Sequence, residues 1–181
     1  KDESVTKVNS NASRLGVKGE EKLTDNLSAV YLVEWEIGAD GDGDAFKNRT
    51  RFVGVKSAGV ATLKVGQFDS YFKTAADNNQ DIFNDNNELD MTKVLVGEDR
   101  LTNVIGFETD KKLLGGLAFN IMFQQGEESE GANSKAKGYE DSRDGFGDGI
   151  SASLTYDNKD MGLAAAVAAN QAIASKFNAY G

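Results

Sequence analysis

Very few side chains in this sequence can do covalent chemistry. Its 181 residues contain no His and no Cys. That removes the commonest general base, the commonest zinc ligand and every thiolate site, and it excludes a disulfide framework. Carboxylates and lysines remain, but no motif organises them for bond making. What does stand out is charge alternating with apolar residues: Arg14, Lys18 and Arg51 alternate with Leu15, Val17 and Phe52, and Glu34 and Glu36 flank Trp35. On a strand, successive side chains point to opposite faces. One face then carries charge and wants water, while the other is greasy. Charges fixed on a wet wall act on a passing solute through their field, without breaking a bond. The plainer reading is a row of solvent-facing charges on a half-buried sheet. A glycosidase pair at Glu34 and Glu36 is disfavoured, because two acids on one strand face do not flank a sugar bond from opposite sides.

A second acidic feature is Asp40-Gly41-Asp42-Gly43-Asp44, with Asp141, Asp144 and Asp148 further on. It has the look of a calcium loop but lacks the remaining ligands and the bidentate Glu of an EF-hand. The reading is a solvated external loop that binds Ca2+ or Mg2+ weakly at most. No cofactor is expected.

The same alternation defines the elements that position these groups. Ile150-Ser151-Ala152-Ser153-Leu154-Thr155-Tyr156 puts apolar residues on one face and hydroxyls on the other. Strands are expected at Ser13–Lys22, Leu27–Ala39, Arg49–Lys56, Ala61–Gln67, Leu101–Thr109, Leu117–Gln125, Ile150–Tyr156 and Leu163–Ala174. Several have the length of a tilted membrane strand. Their connectors alternate. Those at Thr24–Asn26, Ala58–Gly59, Lys111–Lys112 and Asp157–Asp160 are short, and those at Gly38–Asn48, Phe68–Arg100 and Gly126–Gly149 are long. Tight turns on one side and long loops on the other describe an antiparallel barrel crossing a membrane. Phe68–Arg100 is long and poor in strand character, which marks a functional segment. Aromatics at Tyr31, Trp35, Phe107, Phe119, Phe123 and Tyr156 fall on the apolar faces, as a lipid-facing surface with interfacial girdles requires.

Composition narrows the classes further. The net charge of −9 disfavours nucleic-acid binding, which needs basic patches. No apolar run is long enough for a transmembrane helix, but a barrel with a wet lumen is only half apolar along each strand. Lys1-Asp2-Glu3-Ser4 does not begin a signal peptide, which a secreted precursor would have lost.

Three stretches resemble the general diffusion porins of Gram-negative outer membranes. Ser13-Arg14-Leu15-Gly16-Val17-Lys18-Gly19-Glu20 is similar to that family's second strand, and Asn48-Arg49-Thr50-Arg51-Phe52-Val53-Gly54-Val55-Lys56 to its fourth. Asp81-Ile82-Phe83-Asn84-Asp85, with Gly97-Glu98-Asp99-Arg100-Leu101-Thr102-Asn103-Val104-Ile105, resembles its third loop and the return into the next strand. The resemblance implies a sixteen-stranded barrel, usually a homotrimer, whose third loop folds inward to narrow an aqueous pore. This chain would be one partial domain over 1–181, covering about strands two to nine, with the inward loop at about 68–100.

The resemblance also assigns roles. Arg14 and Arg100 match wall arginines. A third would fall near Gln67 and is missing, as is the enterobacterial Pro-Glu-Phe-Gly type loop motif. With Lys18 and Arg51 these arginines form a basic wall, Glu34 and Glu36 are pore-lining acids, and the loop acids are among Asp77, Asp81, Asp85, Glu88 and Asp90. Early strands form the subunit contact in that family, which directs Tyr31 and Trp35 towards a neighbour. The implied activity is passive diffusion of small hydrophilic solutes and ions, with weak cation preference and no enzymatic step. Outer-membrane lipid and lipopolysaccharide are the expected surroundings. The rival reading is a soluble or surface Ca2+-dependent β-sandwich, an adhesin or lectin, which explains the acidic loops but not the alternating connectors.

Overall fold

The computed structural model describes residues 6, 10, 12–41, 45–76, 100–125 and 146–173. Their eight strands form one antiparallel meander in which every strand pairs with its neighbour in sequence. They are β1 (Arg14–Lys22), β2 (Leu27–Ile37), β3 (Phe46–Ser57), β4 (Ala61–Asp69), β5 (Arg100–Thr109), β6 (Leu117–Gln124), β7 (Gly149–Asn158) and β8 (Leu163–Gln171). Each expected strand is present, with ends shifted by no more than about a turn's worth of residues. Short connectors alternate with long ones, as the sequence pattern requires. All described strands lie in one sheet, and there is no second sheet among the described residues to make a sandwich.

The register carries one face through all eight strands. Leu15, Val17, Val53, Val55, Leu63, Val65, Phe107, Phe119, Leu154 and Val167 project outwards and are exposed. A contiguous exposed apolar face of this size is a membrane or subunit surface, not a water-facing one. Near the long-loop ends it carries aromatic pairs. Trp35 meets Phe46 edge-on at 6.5 Å, and Phe123 stacks on Phe146 at 5.5 Å.

The opposite, inward face is polar, and the small core sits on it. A short helix the sequence reading did not anticipate, α1 (Tyr71–Ala76), follows β4 and packs against the inward side of β6, β7 and β8. Ser70 caps it, its hydroxyl accepting from the Lys73 amide at 3.1 Å. The wall supplies a second acceptor, since the Phe72 amide donates to the Ser151 hydroxyl at 3.2 Å. Phe68, Tyr71, Leu101, Val104, Met122 and Ile173 are buried together in this region. The hydroxyl row of β7 thus faces inwards, with Ser151 and Ser153 buried.

Two bulges interrupt the ladder. In the first, Arg49 and Thr50 of β3 oppose the single residue Glu34 of β2. In the second, Thr102 and Asn103 of β5 oppose Gln67 of β4. Asn103 has φ 55°, a left-handed conformation that Asn tolerates better than most residues. A bulge shifts the face parity of everything beyond it. The first therefore decides which arginines face inwards.

Candidate pore wall

The inward face of β1–β5 near the long-loop ends holds a cluster of opposed charges. Arg14 of β1 lies opposite Glu36 of β2, and Glu34 follows two residues away on the same face. The guanidinium of Arg49 bridges both acids, with Nε 2.8 Å from Glu34 Oε1 and Nη1 3.1 Å from Glu36 Oε2. Lys47 Nζ adds a looser contact to Glu36 at 3.8 Å. Across the sheet, Arg100 Nε donates to Thr50 Oγ1 at 3.0 Å and lies 3.3 Å from Asp69 Oδ1. Asp69 also lies 3.8 Å from Lys73 of α1. Arg14, Arg49 and Glu34 are within electrostatic reach of Arg100. The side chains of Arg49 and Arg100 are only 16% and 19% exposed, so their fields are screened less than those of free surface charges.

Of the residues expected on this wall, Arg14, Glu34, Glu36 and Arg100 come together here, and Lys18 lies on the same face of β1. Arg51 does not join them. Its register partners Val33 and Gln67 place it on the outward face with Val53 and Val55, and its Nη2 donates to Gln67 Oε1 at 2.7 Å. In a regular strand Arg49 and Arg51 would share a face. The bulge at Arg49 and Thr50 sends them to opposite sides and makes Arg49 the inward arginine. Two arginines one residue apart were the only trace of this in the sequence. Asp77, Asp81, Asp85, Glu88 and Asp90 lie outside the described residues, as do Asp42, Asp44, Asp141 and Asp144. Asp40 is described, and its Oδ2 accepts from the Ser10 amide at 2.6 Å.

Towards the short turns, α1 and the strands line an open cleft of about 970 Å³. Phe72, Glu108, Asn120, Thr155 and Lys159 are among its lining residues. Its lining is mixed, with Leu163 and the alanines of β8 beside the polar groups. Beside it, burial pushes the Tyr71 phenol far above its ordinary range and keeps it neutral.

The model of the Gram-negative porin family matches residues 1–180. The chain belongs to that family. It is 30% identical over 125 residues to the major outer membrane protein P.IB of Neisseria meningitidis serogroup B, covering 68% of this chain and 36% of that protein. The P.IB protein of Neisseria lactamica matches at 30% over 66 residues, which is 36% of this chain and 19% of that protein. Among solved structures, the fold resembles the anion-selective porin from Comamonas acidovorans, with TM-score 0.61 and 23% identity over 90% of this chain and 48% of that one. It also resembles Salmonella typhi OmpF in complex with daunomycin, with TM-score 0.60 and 18% identity over 90% of this chain and 47% of that one. The chain thus spans about half the length of the solved porins it matches, and about half a barrel. The outward apolar face is that of a protein of the Gram-negative outer membrane.

Proposed function

We propose that the whole protein is a passive outer-membrane channel for small hydrophilic solutes and ions. The single observation that carries this reading is the inward charge cluster of Arg49, Glu34, Glu36, Arg100 and Asp69, set on one wall of a sheet whose other face is apolar. Solutes move down their gradients along that wall. In this reading the segment at about 68–100, which contains α1, is the constriction, and its acids act against the arginines of the wall. Arg49 and Arg100 are each ion-paired, which moderates the positive field of the wall. The acidic excess of the chain, −9, then sets a weak preference for cations. The protein works as a homotrimer, surrounded by outer-membrane lipid and lipopolysaccharide.

The test is planar-bilayer recording of the purified whole protein. Stepwise ohmic conductance, closing in three equal steps at high voltage, supports an open trimer. Absence of conductance from folded, inserted protein overturns the channel. A reversal potential of anion-selective sign in a salt gradient overturns the cation preference alone.

A further inference from the structure

Lys64 is an unexpected side chain for a pore wall. It projects inwards from β4, yet its side chain is only 13% exposed. A buried ammonium is costly unless it is paired. Here it has partners on every side. Its Nζ lies 4.3 Å from the centre of the Phe68 ring, 5.2 Å from Phe52 and 5.6 Å from Tyr71, all within cation–π range. Glu108, on the neighbouring β5, completes the ion pair. The rings come from three elements, β3, the end of β4 and the first residue of α1.

The wall beneath is hollowed to receive them. The cross-strand partners of Lys64 are both glycines, Gly54 on β3 and Gly106 on β5. A Cβ at Gly106 would come within 2.6 Å of the Tyr71 hydroxyl and 2.8 Å of Phe68 Cζ. Any side chain there would force the Tyr71 and Phe68 rings to shift from their seats. Beyond Tyr71, the helix packs on β7 and β8, and its Phe72 amide donates to Ser151 of β7.

We propose that Lys64, with Glu108 and the notch at Gly106, is the latch that seats α1 against the wall and so sets the open width of the passage. Lys64 is a positioning residue, acting on solutes only through α1. The latch rests on the channel reading for its consequence, but the seating of α1 can be measured without any conductance.

Two measurements on the whole protein, folded in lipid, test it. Ala75→Cys adds a thiol to α1 in a chain that has none. Its labelling rate with a water-soluble maleimide is expected to rise roughly tenfold when Lys64→Met is added, because an uncharged side chain of similar length gives up both the cation–π attraction and the ion pair. Lys64→Arg, which keeps a cation over the rings, is expected to restore the slow rate. In single-channel records Lys64→Met is expected to add brief partial closures at roughly tenfold higher frequency, as an unseated helix moves into the lumen. Equal labelling rates in the Lys64 and Lys64→Met backgrounds, in protein with unchanged β circular dichroism, overturn the latch. Faster labelling in a protein that carries no current sustains the latch and overturns the channel reading instead.

Discussion

Replacing Arg49 by Gln separates the register seen here from the one a regular strand would have. The substitution removes one positive charge from the inward wall and leaves Glu34 and Glu36 without the guanidinium that bridges them. A monovalent ion passing about 7 Å away through water gains or loses about 0.6 kcal/mol, which screening at 0.1 M salt roughly halves. The remaining 0.3 kcal/mol or so favours a cation by a factor of about 1.7 and disfavours an anion by the same factor. The cation-to-anion permeability ratio should therefore rise about threefold, read as a shift of reversal potential in a salt gradient across a planar bilayer. At about 1 M salt the Debye length shrinks to roughly 3 Å and the effect should nearly vanish. Arg51→Gln, two residues along, should leave the ratio where it was, because that side chain lies on the outward face beside Gln67. An equal shift from both substitutions would refute the bulge assignment. A shift from neither would refute the role of this cluster in selectivity.

Two further expectations concern the faces. Val53→Arg puts a charge on the outward apolar surface and should cost about 2–4 kcal/mol, whereas Thr62→Arg, on the inward face, should cost little. Urea unfolding of the whole protein in lipid vesicles compares the two, and equal costs would contradict the assignment of faces. Met122→Ala should destabilise the barrel by about 2–5 kcal/mol in the same assay, because Met122 is fully buried beneath α1 and leaves a cavity. A loss well under that range would mean that α1 does not pack on β6 as described.

Much of this protein was legible along the chain. The period of two in segments such as Leu117–Gln124 and Gly149–Asn158 is written residue by residue, and it fixes a strand's two faces before any neighbour is known. The alternation of short and long connectors is equally local, and it dictates an antiparallel meander with its turns gathered on two sides. Arg14, Glu34, Glu36 and Arg100 were recognisable because their strands run regularly or match a family pattern. Arg51 was misplaced and Arg49 missed for one reason. A bulge depends on how two strands share their hydrogen bonds, so β3 alone carries no mark of where its parity changes. The helix α1 escaped notice because six residues give too short a pattern, and its packing comes from the wall rather than from its own propensity. Nothing in the segment Ala61–Asp69 by itself singles out Lys64. Only the tertiary structure brings rings from β3, β4 and α1 and the carboxylate of Glu108 around its ammonium. Face preference is a property of single residues in order, whereas the partners a charge finds depend on segments far apart in sequence meeting at one place.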